Sequence, residues 1–570
     1  MEGEMMKRWM DRVFFGFFGL IFLGLCLRAG SIKTPAELTN FAQYSQHEEI
    51  TRFLSELDHM SGELTVQIIG QTKETRGYEA KDLYLCIITE EGFDSPHKIN
   101  REKPTVLIVA SQHGNEQSAK EAALQLIRDL SGGELKPILK KINVLIIPQA
   151  NPYGNQLDQR QNEQDLDLNR DHVKLEAPEV KAIHRVFPLW MPEVTMDVHE
   201  KGDDYYRVSI GCVSNANIHQ NLQDFSRNTI LAEVEKGLDE RKIAFFEYLI
   251  TQRMGVDSSA GVRYRPEDQG REETMKRFST TDLNDGRNSL GIYESLSFIQ
   301  EGSSRHDIET LEERTRWQYF GIRFFMESIA RHADEVKSMV HDLRAQMLEK
   351  ARTFTKDDVV HLRMEYARDV QQSSLTVKKF ERTETPIRGI LKVDKKAGET
   401  LSMQDLSPYP YPSRHKVVKE IVQNWFPKVI PTVSVPRPLG YVIPADHVDV
   451  LETILDHGIK VDTFTKDINM DVEAYQVKEV IPSEYDYLPP ENIEVEKRDI
   501  QAIIKRGDFY ITCAQAGANL IPCLLEPQSQ YGLIRYWKFK LVPAEGNIFS
   551  FYRVVAVKDL PVIPYKNWER

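Results

Sequence analysis

The chain has 570 residues, room for about four domains of average size or two large α/β ones. With 41% hydrophobic and 28% charged residues, and with 31 Gly and 27 Pro spread along its length, it cannot be intrinsically disordered, collagen-like or a multi-span membrane protein. Lys and Arg number 73 against 86 Asp and Glu, a formal charge of −13, which argues against a general nucleic-acid binder. Five cysteines without a C-x-x-C pair exclude a disulfide scaffold, a zinc ribbon and a redox motif.

Residues 13–27 (VFFGFFGLIFLGLCL) form an unbroken apolar run of 15, preceded by Lys7, Arg8 and Arg12. As a helix this run spans about 22 Å, short of a bilayer core of about 30 Å. Residues 1–30 therefore read as a cleaved export signal, with an uncleaved membrane anchor as the alternative. Either way the rest of the chain is expected outside the cytoplasm, periplasmic or extracellular. In an oxidising compartment Cys513 and Cys523 could close a short loop, or both could be buried free thiols in strands.

Thr34-Pro35-Ala36-Glu37 has the form of a capping box and predicts a helix running to about residue 59. Strands are predicted over 64–69, 83–89 and 105–110, then a helix over 118–130 and a strand over 143–148. A polar loop follows, then a helix over 178–186, a strand over 194–198, and a helical stretch over 306–350. This alternation predicts an α/β domain over 31–350, with a mixed, mostly parallel sheet flanked by helices. Beyond 350 the texture changes to Pro-punctuated strands without an internal repeat, a β-rich α+β region over 351–570 to which the sequence assigns no role. Within it, residues 440–443, 446–457 and 460–464 read strand, helix, strand, and 508–558 reads as strand-rich.

The chemistry collects at strand ends. The predicted strand TVLIVA runs straight into Ser111-Gln112-His113-Gly114-Asn115-Glu116 and then a helix, and open α/β sheets bind ligands beyond the carboxyl ends of their strands. A His and a Glu three apart supply the short-spacer half of a catalytic zinc site. With 15 histidines about one such pair is expected by chance. A second does occur at His306 and Glu309, where the solvated first turn of an acidic helix explains it. His199, at the end of the predicted strand 194–198, adds a third ligand. Two His and one Glu leave the fourth zinc position open, which is the catalytic arrangement. Asp197 on the same strand either orients His199 or is simply solvated at the strand end.

Between these halves lie Asn151-Pro152-Tyr153-Gly154, Arg160 and Asp167-Leu168-Asn169-Arg170. H-G-x-E after one buried strand, N-P-x-G after the next, an arginine, D-L-N-R and a strand-end D-x-H resemble, in order and interval, the carboxypeptidase A-like zinc carboxypeptidases. The likeness covers roughly residues 36–335 and suggests a secreted bacterial-type member with a C-terminal extension. It implies that His113, Glu116 and His199 hold one zinc ion per chain. It further implies that Arg160 polarises the scissile carbonyl and that Asn169 and Arg170 grip the substrate's terminal carboxylate, work suited to a planar guanidinium. The plain alternatives are a solvated loop charge for Arg160 and a turn with a helix cap for Asn169-Arg170. Tyr153 departs from the family's common Asp at a position that shapes a turn.

The family also requires a glutamate as general base. Glu301 is expected in that role, at the carboxyl end of its strand and followed by Gly302; Glu294 sits at the strand's start, the wrong edge. Arg287-Asn288 resembles an arginine-containing segment of some secreted bacterial members and receives no role. The implied function is a metallocarboxypeptidase that hydrolyses C-terminal peptide bonds with a zinc-activated water and Glu301 as base. A zinc deacylase or amidase acting on N-acyl amino acids or cell-wall peptides is the first alternative, and an inactive zinc-bearing binding protein the second. The expected partner is a peptide or N-acyl amino acid, not nucleic acid, with membrane contact only through an uncleaved N-terminal segment. The preferred C-terminal residue and the oligomeric state are not written in the sequence.

Overall fold

The computed structural model describes residues 29–565 apart from 76, 202–205, 254–273, 279, 305, 307–308, 383–411, 484–487 and 557–558. The apolar run 13–27 lies outside the described residues. Among the described residues no helix is long and apolar enough to cross a membrane.

The first half of the chain builds one eight-stranded sheet. Its strands are β1 (Leu64–Gln71), β2 (Asp82–Ile88), β3 (Thr105–Ala110), β4 (Asn143–Ile147), β5 (Val194–Lys201), β6 (Val208–Cys212), β7 (Phe245–Glu247) and β10 (Leu296–Ser303). β8 (Leu249–Arg253) and β9 (Thr274–Phe278) pair separately. The spatial order is β1-β2-β4-β3-β5-β10-β6-β7. β4, β3, β5 and β10 run parallel at the centre, as do β6 and β7; the β1/β2, β2/β4 and β10/β6 pairings are antiparallel. The central strands are buried on both faces, so they read as continuous apolar runs rather than alternating ones. Their parallel register places Ala110 beside Val198 and His199 beside Glu301, which aligns three strand ends on one edge.

Side chains along β3 alternate between two cores, as the two-residue strand period requires. Val106, Ile108 and Ala110 pack with the helices Gln117–Ser131 and Leu311–Arg331. Leu107 and Val109 join the opposite core with Phe187 and Trp190 of the helix Pro178–Trp190. That second core continues without a break into Tyr441, Ile443, Ile454, Ile511, Leu524 and Phe549. The residues beyond 350 thus cover a face of the catalytic-half sheet.

Several predicted elements differ in detail. The Thr34 capping box forms, with the Thr34 hydroxyl accepting from Glu37 N–H and the Glu37 carboxylate accepting from Thr34 N–H. Its helix nevertheless ends at Leu38, because Asn40 and Phe41 adopt positive φ and turn the chain, and a second helix, His47–Met60, starts at a new box of Gln46 and Glu49. The stretch 306–350 is two helices, Leu311–Arg331 and Ala333–Lys350, the first capped by Thr310. His306 and Glu309 therefore precede the helix instead of forming its solvated turn: Glu309 is buried against Arg207, and His306 Nε2 lies 3.1 Å from Glu200.

The unit Gly440–Ile443, Val448–Asp456 and Asp462–Phe464 forms, but Phe509–Thr512 inserts antiparallel between its two strands in a seven-stranded sheet. Residues 508–558 are not strand-rich. After Phe509–Thr512 come the helix Leu520–Leu525, short turns and the strand Tyr552–Val554. Tyr531, Phe539, Phe549 and Phe551 bury themselves in the second core without pairing as strands. Cys86, Cys212, Cys513 and Cys523 are all buried free thiols, Cys523 on a helix, so the Cys513–Cys523 bridge is not formed.

A file of buried histidines ties the two halves together. His457 Nε2–H donates to Val173 O at 2.9 Å, the His457 and His184 rings meet edge to face, and His184 Nε2 lies 3.0 Å from His172 Nδ1. Burial pushes His172 and His457 down to about 4. Their folded pKa lies below the unfolded value, so this contribution is complete above about pH 6.5 and is lost as the pH falls towards 4. Each group should cost up to about 3 kcal/mol of stability across that window. Denaturant unfolding of His457→Gln should therefore lose less stability than wild type between pH 7 and pH 4.5. Parallel pH dependences would remove His457 from the account.

Candidate active site

The loop after β3 is held by close backbone contact. A Cβ on Gly114 would fall 2.0 Å from the carbonyl carbon of Gly154, so only glycine fits between the two turns. Asn151 caps the second turn by accepting from Gly154 N–H at 2.8 Å, and its amide donates to Gln112 O. Asn155 Nδ2 donates to Gly114 O at 2.7 Å. The N-P-Y-G segment is thus a clamp on the His113 loop. Tyr153 packs edge to face against Tyr78.

Both histidines are buried and each is backed by a carboxylate. His113 Nε2 lies 3.0 Å from Asp167 Oδ1, and His199 Nε2 lies 2.7 Å from Asp197 Oδ2. A carboxylate can only accept, so each ring carries its proton on Nε2 and turns a lone pair on Nδ1 the other way. These two Nδ1 atoms stand 3.0 Å apart, with Glu116 Oε1 at 2.8 Å from one and Oε2 at 2.7 Å from the other. With the protons so placed, four acceptor atoms face one point, an arrangement that a metal cation completes. His113, Glu116 and His199 together can hold one metal ion. Nitrogen and carboxylate donors suit zinc. Burial opposes charge on His199, yet the Asp197 and Glu116 carboxylates raise its pKa well above the ordinary imidazole value, so a proton occupies the cluster when no metal does.

The remaining sequence-predicted residues gather at a cavity of about 550 Å³ that includes the three ligands. Glu301 sits beside His199 across the β5/β10 ladder and is buried. Burial, then the charge of Glu116, pushes its carboxyl up to about 7 against the opposing pull of His199. Arg160 Nε donates to Asp167 Oδ2 at 2.9 Å, and its Nη1 lies 3.8 Å from Glu116. Asn169 is buried: its Oδ1 accepts from Gly286 N–H at 2.8 Å and its Nδ2 lies 3.0 Å from His199 Nε2. Arg170 is exposed, one nitrogen donating to Asn169 O. Glu294 is elsewhere. It precedes β10 by two residues, accepts from His219 N–H and Asn519 Nδ2, and lines a separate cavity with His361 and Arg437.

The sequence reading missed Asp167 as the support of His113 and Gln112 as the support of Asp197, to which Gln112 Nε2 donates at 2.7 Å. Both stand inside the quoted motifs, where an acceptor or donor beside a ligand was the available signal. Tyr248, Asp282, Asp285 and Arg287 also line the cavity. Arg287 stood out in the sequence without a role, whereas Tyr248, Asp282 and Asp285 carry no local signature and arrive by tertiary folding.

For the metal, His113→Ala or His199→Ala should abolish stoichiometric zinc in equilibrium dialysis, since three ligands leave no redundancy. Asp167→Asn keeps all three and should weaken zinc binding about 10–100-fold. Full occupancy in either alanine variant would contradict the ligand set.

Residues 50–186 match the family model described as zinc carboxypeptidase. "Carboxypeptidase 2" of Trichophyton tonsurans is 24% identical over 502 residues, covering 82% of this chain and 81% of its own. "Carboxypeptidase 2" of Trichophyton rubrum is 24% identical over 477 residues, covering 79% and 77%. Among solved structures, a metallo-carboxypeptidase from Burkholderia cenocepacia aligns at 17% identity and a TM-score of 0.37 over 50% of this chain and 69% of its own. The segment that matches the zinc carboxypeptidase model contains His113, Glu116, Arg160, Asn169 and Arg170, and the sheet brings His199 to them, where His113, Glu116 and His199 can hold one metal ion.

Proposed function

We propose that the protein is an exported zinc metallocarboxypeptidase that releases C-terminal residues from peptides. Residues 31–350 form its catalytic part and 351–570 the scaffold that backs it. The observation that carries this reading is the pairing of Glu301 with His199, which puts a carboxylate raised to about 7 next to the metal ligands. A general base near neutrality is what the reaction needs.

When bound, zinc supplies a Lewis acid for the scissile carbonyl and lowers the pKa of water. Glu301 takes the proton of the attacking water on its carboxylate and returns it to the leaving amine. Arg160, held by Asp167, turns its remaining donors to the developing oxyanion. Arg170, exposed on the cavity, receives the substrate's terminal carboxylate, while Asn169 fixes Gly286 and the His199 side of the wall.

Glu301→Gln should retain zinc and fold but lose at least about 10²-fold in kcat, the lower end for a general acid–base group. Glu294→Gln should keep its activity, because the five strand steps from Leu296 to Glu301, at about 3.3 Å each, separate the two ends by roughly 16 Å and Glu294 lines a different cavity. It should lose some stability, since the two donors, His219 N–H and Asn519 Nδ2, meet different carboxylate oxygens and glutamine replaces one of these with an NH2 group. The reverse pattern in kcat would show that the base is misassigned.

Arg170→Ala should reduce kcat/KM for a peptide with a free C-terminus by a further tenfold or more relative to its C-terminal amide, the loss of one charge-assisted contact of about 1.5–3 kcal/mol. An equal loss on both would favour an amidase over a carboxypeptidase.

A further inference from the structure

The cavity wall holds a charged group that the proposed reaction does not use. Arg287 stands in the first turn of the helix Gly286–Gly291, whose cap is Asp285. It is 1% exposed. Its Nη2 donates to Asp285 Oδ2 at 2.7 Å, while Asp285 Oδ1 accepts from Asn288 N–H. Among the described residues Nε and Nη1 have no hydrogen-bond partner. A guanidinium sealed from bulk water with donors unmet is costly, and on a cavity wall a ligand can complete it.

The surroundings narrow the ligand. Gly211 on β6 presents bare backbone: a Cβ there would stand 3.4 Å from Arg287 Nη1 and 2.8 Å from the Tyr248 Cβ. The Arg287 guanidinium lies 5.9 Å from the centre of the Tyr248 ring, which lines the same cavity. Lys201, Arg277 and Arg170 line it too. The charge of Asp285 is offset by Arg287 itself, and burial pushes Asp282 up to about 7, which weakens the other nearby negative charge. A group that offers acceptors and negative charge fits this wall; a cationic or purely apolar one leaves Nε and Nη1 unmet.

Arg170 is exposed and Arg287 is not, so the two guanidiniums stand at different depths. We infer that Arg287 is a specificity-determining residue that receives the side-chain carboxylate of an acidic C-terminal residue, while Arg170 takes the main-chain carboxylate. This inference rests on the carboxypeptidase reading of the same site.

The test uses the zinc-loaded full chain with N-acylated dipeptides ending in Glu, Gln, Leu and Lys, together with calorimetric binding of free glutamate and free glutamine. Glu and Gln are nearly isosteric, so their ratio isolates the charge. Wild type should favour Glu over Gln by about tenfold or more in kcat/KM and in affinity, as expected for a charge-assisted contact. Arg287→Met should bring the ratio close to one, and Arg287→Lys should restore part of it. If Arg287→Met fails to fold with Asp285 left unpaired, Asp285→Asn combined with Arg287→Met removes the buried pair together and gives the same readout. Turnover without a Glu preference, or a preference that survives in Arg287→Met, overturns the inference and leaves the carboxypeptidase reading standing. Arg287-dependent glutamate binding without turnover of any peptide supports the subsite and overturns that reading instead. Neither turnover nor glutamate binding overturns both.

Discussion

Two imidazoles that must point their lone pairs at each other are the constraint on which this protein is organised. Asp167 and Asp197 hold the Nε2 sides of His113 and His199, which leaves the Nδ1 atoms 3.0 Å apart over the Glu116 carboxylate. Such a cluster of acceptors calls for a positive charge, a bound proton or a metal ion. Much of the local structure serves to keep it assembled: the Gly114–Gly154 contact that admits no Cβ, the Asn151 clamp, and the parallel register that sets Glu301 beside His199.

The residues beyond 350 belong to the same construction. Their apolar side chains complete the core on one face of the catalytic-half sheet. Their polar groups reach further. Tyr531 hydroxyl bonds the Thr281 hydroxyl at 2.7 Å, Tyr536 hydroxyl donates to Asn284 Oδ1 at 2.7 Å, and Tyr366 hydroxyl accepts from Thr281 N–H at 2.9 Å. That segment, 281–287, carries Asp282, Asp285 and Arg287 into the cavity wall. A second line runs from His457 through His184 and His172 to Gln112, and from Gln112 to Asp197 behind a metal ligand. The region beyond 350, to which the sequence assigned no role, thus braces both the wall and the metal site.

What was legible in the sequence follows from how locally each signal is written. TVLIVA, NVLII and the strand-end His199 declare buried parallel strands and a ligand within a few residues, so the central sheet and the three ligands were readable directly. Capping boxes were readable as helix starts but not as helix lengths, because two positive-φ residues, Asn40 and Phe41, ended the first helix early. Glu309 looked like a solvated turn because its buried partner, Arg207, lies 102 residues away. Arg287 was visible as a residue without a role. Its unmet donors exist only once Gly211, Tyr248 and Asp285 are assembled round it.

The central claim is that the convergent lone pairs hold one zinc ion through two imidazoles and one carboxylate. X-ray absorption at the zinc edge, on protein loaded to saturation and then freed of excess metal, reads this directly. The account predicts one zinc per chain, nitrogen and oxygen neighbours at about 2.0–2.2 Å, the outer-sphere scattering of two imidazoles, and no sulfur. A shell with sulfur, with a different number of imidazoles, or with less than one tightly held zinc per chain would contradict it.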